Sequence, residues 1–261
     1  MRQLAIGAAM FVLAAASGSC TGQELPPRSR FVEDGVKLEA PDPLWAGEAV
    51  VVESAGVTIT GGLALAVGDY ERVRSTARML ALADTTDKPN ADAAIDEVKS
   101  TSYAITTGAG ITTVRCGTVG RHASVAPGDA GCDALDVTIP NGTAQQPLTI
   151  TARSARGRLD GSFEGATLER LELHGSNGRM TVTTPATPGS TILLVAETGD
   201  EVVLRLRADF ATDALVLEAP AGAIDTTAFP GLQSGQGRGV PGSGATSITV
   251  RAGHIVLALP E

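Results

Sequence analysis

Between Leu148 and Leu259 one short pattern returns five times: two apolar residues in alternation, a glycine, then a second alternating apolar run. Leu148 and Ile150 begin the first return, Leu171 and Leu173 the second, Leu193 and Val195 the third, Leu215 and Leu217 the fourth, Ile248 and Val250 the fifth. The opening residues lie 23, 22, 22 and 33 positions apart. The glycines that follow are Gly157, Gly178, Gly199, Gly222 and Gly253, and beyond them come runs such as Met180/Val182, Val202/Leu204/Leu206 and Ile255/Leu257/Leu259. Alternation with a period of two places apolar side chains on one face of a strand. Each unit is therefore expected to be strand, glycine turn, strand, the glycine supplying positive φ where a Cβ would resist it. A unit this short has too little apolar surface to fold alone, so neighbours must stack to bury a continuous core. The expected fold is all-β: a right-handed β-solenoid of about 22-residue rungs with one short helix. The alternative is an antiparallel β-sandwich, because strand, glycine, strand also describes a hairpin. One Gly-rich insertion, Gly231 to Gly244, accounts for the long last interval.

With 31 glycines, 43% hydrophobic residues and only 3% aromatic ones, the core must be Val, Leu, Ile and Ala at close packing. The net charge is −9; a leader containing Arg2 would take one cation away and leave 19 basic against 29 acidic residues, or −10. Such a balance repels phosphate backbones and anionic lipid, so no nucleic-acid partner is expected.

Residues 1–19 have the layout of an export signal: Arg2, an apolar run from Leu4 to Ala16, then small residues before Cys20. The run is too short to span a bilayer as a permanent helix. Ser17-Gly18-Ser19-Cys20 resembles the lipobox of bacterial lipoproteins, although Ser17 stands where Leu is commonest. The resemblance implies lipidation of Cys20; the alternative is an ordinary signal peptide cut near Ala14-Ala15-Ala16. Cysteine count bears on the choice. An exported chain with three cysteines leaves one thiol over, and a lipidated Cys20 leaves Cys116 and Cys132 as a pair, in a segment rich in turn formers. A disulfide closing that loop would contribute on the order of 3 kcal/mol.

Residues 20–44, with Pro26, Pro27, Pro41 and Pro43 among mixed charges, are expected to be a tether behind the lipidated cysteine. Residues 45–261 are expected to form one repetitive β domain, an N-terminal portion (45–147) followed by the regular repeats (148–259). Val50/Val52, Gly56, Val57/Ile59 and Leu63/Leu65 look like a degenerate unit. The segment Asn90 to Lys99 predicts the helix, with Asn90 as N-cap and Ala94, Ile95 and Val98 on its apolar face. Short strands are expected around Tyr103 to Thr106, Ile111 to Arg115 and Leu135/Val137/Ile139.

The passages LDVTIPNG (135–142), GRLDGSFEG (157–165), LELHGSNGRMTV (171–182), LVLEAPAGAIDTTAFPG (215–231) and GATSITVRAGHIVLAL (244–259) resemble the bacterial "putative adhesin" or toast-rack family of unknown function. Its repeated strands carry a Ser/Ala-Gly-x-apolar turn. The chain departs from that family's frequent Gly-Asp-Ile at Gly178-Arg179-Met180 and Gly253-His254-Ile255. The resemblance covers most of residues 45–259 and implies a stacked β fold in the cell envelope, with no catalytic residues to carry over.

Chemistry has few candidates. His174 and His254 both lie near a repeated glycine and could share a face of a solenoid, but no third ligand accompanies them, and His122 is remote; neither a metal nor another cofactor is expected. Arg153, Arg156 and Arg158, with Asp160 and Glu164, form the densest charged cluster, and Arg179 and Arg205 fall on the next two units. Basic residues on successive rungs could serve a polysaccharide-acting β-helix enzyme by neutralising a substrate acid group; a solvated edge of weak ion pairs is the simpler reading. No nucleophile elbow or phosphate loop occurs. Glycan binding by ring stacking has little material, since Trp45 is the single tryptophan and Tyr70 and Tyr103 the tyrosines, while Phe163 and Phe229 sit in a register suited to the core. Asn141-Gly142-Thr143 matches a glycosylation acceptor, uninformative behind a bacterial-type leader.

The expected function is a non-catalytic, adhesin-like structural or interaction module, lipid-anchored in the bacterial envelope, at the outer membrane or facing the periplasm, or else secreted; the alternative is an envelope polysaccharide-acting β-helix enzyme. Its partner would be an unknown envelope protein or glycan, or a second copy, with the membrane engaged through the N-terminal lipid only. The Gly-rich loop, with Gly231, Gln233, Gln236, Arg238 and Pro241, and the segment between Cys116 and Cys132 are the irregular edges where a partner would be read.

Overall fold

The structure, a computed structural model, describes residues 28–44, 48–84, 86–184, 189–197, 200–207, 214–220, 222–229 and 246–260. The leader, Cys20 and the loop residues Gly231, Gln233, Gln236, Arg238 and Pro241 lie outside them. In chain order the elements are β1 (Ser29–Glu39), β2 (Ala49–Ser54), β3 (Gly62–Gly68), β4 (Arg74–Ala83), α1 (Lys88–Glu97), a π-helical turn (Val98–Ser102), β5 (Tyr103–Gly108), β6 (Ile111–Cys116), β7 (Val125–Pro140), β8 (Leu148–Ser154) and β9 (Arg158–Ser162). They continue with β10 (Leu168–Gly175), β11 (Arg179–Thr183), β12 (Thr191–Ala196), β13 (Glu201–Arg205), β14 (Ala214–Glu218), β15 (Ile224–Asp225), β16 (Ser247–Arg251) and β17 (His254–Ala258).

The strands form two sheets, in the orders β1-β4-β7-β3-β9-β11-β13-β17-β15 and β14-β16-β12-β10-β8-β2-β6-β5. Each sequence unit gives its first strand to the second sheet and its second strand to the first. Neighbouring units then pair in parallel and in register: Leu171 sits opposite Ile150 and Ile192, Leu173 opposite Ala152 and Leu194, and Met180 opposite Leu159 and Val202. Parallel strands need a crossover longer than a hairpin; here that crossover is the strand in the opposite sheet. Antiparallel pairing is confined, among the described strands, to β1 with β4, β4 with β7 and β5 with β6. The apolar faces of both sheets meet in one core, with Ile150, Leu159, Leu171, Leu173 and Met180 almost wholly buried.

The order of units is not the order of the sequence. A simple solenoid would place β14/β15 between β12/β13 and β16/β17, yet β16/β17 pairs directly with β12/β13, and β14/β15 lies outside it. Likewise β2/β3 sits between β8/β9 and β6/β7. The architecture is thus two facing, mixed sheets without barrel closure. It shares two sheets around one core with the sandwich alternative and differs from it in its mainly parallel pairing. The long interval between the fourth and fifth units falls where the chain passes from the edge unit to the one inside it.

The repeated glycines answer a packing demand more than a torsional one. A Cβ on Gly178 would lie 2.1 Å from the Gly157 carbonyl oxygen, one on Gly157 2.3 Å from that of Gly61, and one on Gly222 1.4 Å from that of Gly253. These glycines form a column at one corner of the stack where adjacent units approach backbone to backbone. Of the described repeat glycines, Gly157 alone takes positive φ, 84°; Gly199 lies outside the described residues.

Two expectations about the N-terminal portion change. Residues 29–39, assigned above to the tether, are β1: the strand pairs along β4, and Phe31, Val36 and Leu38 pack on the core. Its alternation is interrupted by an irregularity between Glu33 and Val36 that spans Gly35, which hides the period in sequence. The helix begins earlier than Asn90. Asp87 is the N-cap, its carboxylate accepting from the Asn90 backbone N–H at 3.3 Å, and Pro89 occupies the first turn, where its missing N–H costs nothing. Ala91, Ala94 and Ile95 face inward, and Val98, in the following π-helical turn, is buried as well.

Candidate functional site

Side chains on the outward face of the second sheet stand in rows, one residue per strand. At one level the row reads Arg115 on β6, Glu53 on β2, Arg153 on β8 and His174 on β10. Their strands end at Cys116, Ser54, Ser154 and Gly175, and the small or polar residues at these ends leave a cleft of about 730 Å³. The row forms one wall. Thr101, Ser102, Thr118 and Ser176 add hydroxyls from the connecting segments.

Electrostatically the cleft is uneven. Arg115 Nε is 3.6 Å from Glu53 Oε2, whereas Arg153 makes no ion pair or side-chain hydrogen bond among the described residues. His174 Nε2 lies 2.7 Å from Glu172 Oε1, and Arg170 Nη2 lies 2.7 Å from Glu172 Oε2. The His174 hydrogen bond, followed by that of Arg170, holds the Glu172 carboxyl below the usual carboxylate range. Ser154 Oγ donates to the Arg156 carbonyl at 3.0 Å. Ser54, only 3% exposed, has a hydroxyl with no partner among the described residues.

The outward face of the first sheet differs. Gly62, Ala64 and Ala134 line a smaller pocket of about 210 Å³ there, and the flanking cations are matched: Arg158 Nη2 is 2.6 Å from Asp160, Arg179 Nε 2.9 Å from Glu201, and Arg78 Nη2 2.7 Å from the buried Asp133.

The arginine cluster of the sequence does not converge. Arg153 faces outward from the second sheet, Arg156 turns back to donate to the Val57 carbonyl at 3.1 Å, and Arg158 faces outward from the first sheet. Strand alternation and the intervening corner send them apart. For the same reason His174 and His254 lie on different sheets, and His122 pairs with Glu97. Cys116 and Cys132 are joined, with Cα atoms 5.5 Å apart. Phe163 and Phe229 are buried; Tyr70 is exposed beneath Arg74, 4.9 Å from its ring centre; Trp45 lies outside the described residues. Among the described residues no three His, Cys, Asp or Glu side chains gather as metal ligands.

Sequence reasoning missed the row of Arg115, Glu53, Arg153 and His174. A signal was present: Val52-Glu53-Ser54, Val114-Arg115-Cys116, Ala152-Arg153-Ser154 and Leu173-His174-Gly175 all read apolar, charged or His, small. Charge in the middle position identifies the outward level just before the strand ends.

No family model matches the chain, and no curated protein matches it. A crystal structure titled "putative cell adhesion protein", from Clostridium sporogenes, is similar in fold, with a TM-score of 0.56 and 11% identity, covering 90% of this chain and 100% of that one. At this identity the likeness concerns the fold. The toast-rack resemblance thus rests on the quoted motifs, without a family match.

Proposed function

We propose that this chain is a non-catalytic, adhesin-like binding module that works outside the cytoplasm. The observation that carries the reading is the fold shared over 90% of its length with a protein named for cell adhesion. Two others support it. The Cys116–Cys132 disulfide suits an oxidising compartment. The dispersal of Arg153, Arg156 and Arg158 onto separate surfaces takes away the sequence cluster on which the polysaccharide-enzyme alternative rested.

In its finer form, the reading has Cys20 lipidated at a bacterial envelope and the residues between it and β1 serving as a short tether. The stacked units act as a solenoid-like rigid body that presents its outer faces to an envelope protein or glycan. Either end of the rod is also where a second copy would add strands, since β14 and β15 are edge strands. The loop with Gly231, Gln233, Gln236, Arg238 and Pro241 remains a proposed contact.

Crosslinking in the native envelope, with mass spectrometry of whatever joins the chain, tests the module. A reproducible partner, or the chain itself, is expected at the cleft or at 231–244. Recovery of no partner together with turnover of an envelope polysaccharide would sink the reading. Cys20→Ala should release the chain from the membrane fraction.

A further inference from the structure

We infer that the cleft at the ends of β2, β6, β8 and β10 binds an acidic glycan, through a carboxylate on Arg153 and sugar hydroxyls on the serine and threonine side chains around it. The inference deepens the binding-module reading and rests on it.

Charge comes first. The chain carries a net −9, yet the cleft gathers Arg115, Arg153 and His174 against one lining carboxylate, Glu53. Arg115 is drawn towards Glu53 at 3.6 Å, so Arg153 is the guanidinium of the cleft that meets no acid among the described residues. A guanidinium presents a planar fork of donors that matches a carboxylate in two places. Arg158, Arg179 and Arg78 on the other sheet are already matched to acids, so an anion there would have to displace one.

The second observation is the hydroxyl lining. Ser54 turns inward, its oxygen out of reach of solvent, whereas Thr101, Ser102, Thr118 and Ser176 offer hydroxyls from the connecting segments. Such a lining asks for a polyhydroxylated ligand. It does not suit a protein partner, whose binding energy is concentrated in aromatic and aliphatic anchors; the apolar side chains here are small, chiefly Ala55 and Ala155.

Spacing supplies the third. Neighbouring strands stand ~4.8 Å apart, about the length of one pyranose ring, so a glycan running along the stack meets a new strand at each sugar. Arg115, Glu53, Arg153 and His174 then present alternate charge to successive rings. Glu53 accepts from ring hydroxyls while the two arginines flank it. Recognition of this kind works without the aromatic platform the chain lacks.

Calorimetric titration of the full chain with oligogalacturonate tests the assignment, with fully methyl-esterified oligogalacturonate as the comparison. Saturable binding is expected, weakened by esterification and weakened roughly tenfold or more by Arg153→Ala, with Arg153→Lys keeping part of it. Ser176→Ala, at a half-buried hydroxyl of the lining, should weaken binding without lowering the melting temperature, which a merely structural serine would not do. Absence of saturable binding, equal binding of the ester, or unchanged affinity in a folded Arg153→Ala chain would each overturn the proposal. The underlying reading fails separately. Native crosslinks to the wild-type chain without saturable oligogalacturonate binding leave the module standing and remove the glycan assignment, whereas loss of oligogalacturonate binding and of cleft crosslinks together in a folded Arg153→Ala chain supports both.

Discussion

From β8 to β17 each level of the stack repeats the level beside it: Ile150, Leu171, Ile192 and Ile248 share one inward position, and Ala152, Leu173, Leu194 and Val250 the next. At the other end, where β1, β4, β5, α1 and the first half of β7 close the fold, nothing repeats. That region is held by individual interactions. Asp133, fully buried, accepts from Thr58 Oγ1 at 2.5 Å, Arg78 Nη2 at 2.7 Å and Arg30 Nη2 at 3.3 Å. The Cys116–Cys132 disulfide ties β6 to β7, and the buried Tyr103 hydroxyl lies 2.8 Å from Ser75 Oγ and donates to the Val36 carbonyl at 3.2 Å. A stack obtains its cohesion from identical neighbours. An end without a neighbour on one side needs cross-links of other kinds.

If that contrast holds, the largest effect comes from the glycine column. Gly178→Ala places a Cβ 2.1 Å from the Gly157 carbonyl oxygen and should cost about 4 kcal/mol in urea unfolding, whereas Gly120→Ala, with open space at the position, should stay within about 0.5 kcal/mol. Equal effects would dissolve the distinction between the two regions. Next in size, replacing both Cys116 and Cys132 by Ala should cost about 3 kcal/mol, and hydrogen exchange should rise in β6, β7 and α1 before it rises in β10 and β12.

Asp133→Asn leaves Arg30 and Arg78 facing a neutral amide. Both arginines are partly exposed, so water offsets part of the loss and the expected cost is about 2 kcal/mol. A wild-type melting temperature in that variant would contradict the role given to the buried carboxylate. Tyr103 sharpens the comparison through pH. Burial, against the opposing Ser75 hydrogen bond, raises its pKa above the ordinary 10.0. Because the folded value lies above the unfolded one, its contribution is intact below pH 10.0 and lost as pH rises through the folded pKa. Tyr103→Phe should therefore flatten the alkaline limb of a stability profile. The smallest effect is expected on the outer face of the stack, where Arg251 Nε and Glu218 Oε2 are 2.7 Å apart and both exposed: Arg251→Ala should change stability by about 0.5 kcal/mol or less.

Much of the stack is legible in the chain. The inward residues Leu171, Leu173, Met180, Val182, Ile248 and Val250 are those the alternation selects, and the glycine positions mark the corners; in the third unit, where Ile192 to Val195 are all apolar, Leu193 and Val195 face outward and Ile192 and Leu194 are buried instead. The closing region is less legible because its determinants are single and distant in sequence. Asp133 and Arg30 are 103 residues apart, and no periodicity announces their meeting. β1 was hidden among prolines by its irregularity near Gly35. The cleft was half visible: Arg153 and His174 stood out as residue types, but Glu53 and Arg115 joined them only through strand register.

Local alternation and the recurring glycines determine by themselves that this chain makes strands, which side is buried wherever polar and apolar residues alternate, and that its units stack, since each needs a neighbour to cover its apolar face. Tertiary structure alone decides which units are neighbours. Any two units with the same inward pattern can pair in register, so the pattern is indifferent to the placement of β14/β15 outside β16/β17 or of β2/β3 beside β8/β9. That order is set by which strands pair across the sheets, and it is what brings Arg115, Glu53, Arg153 and His174 into one row.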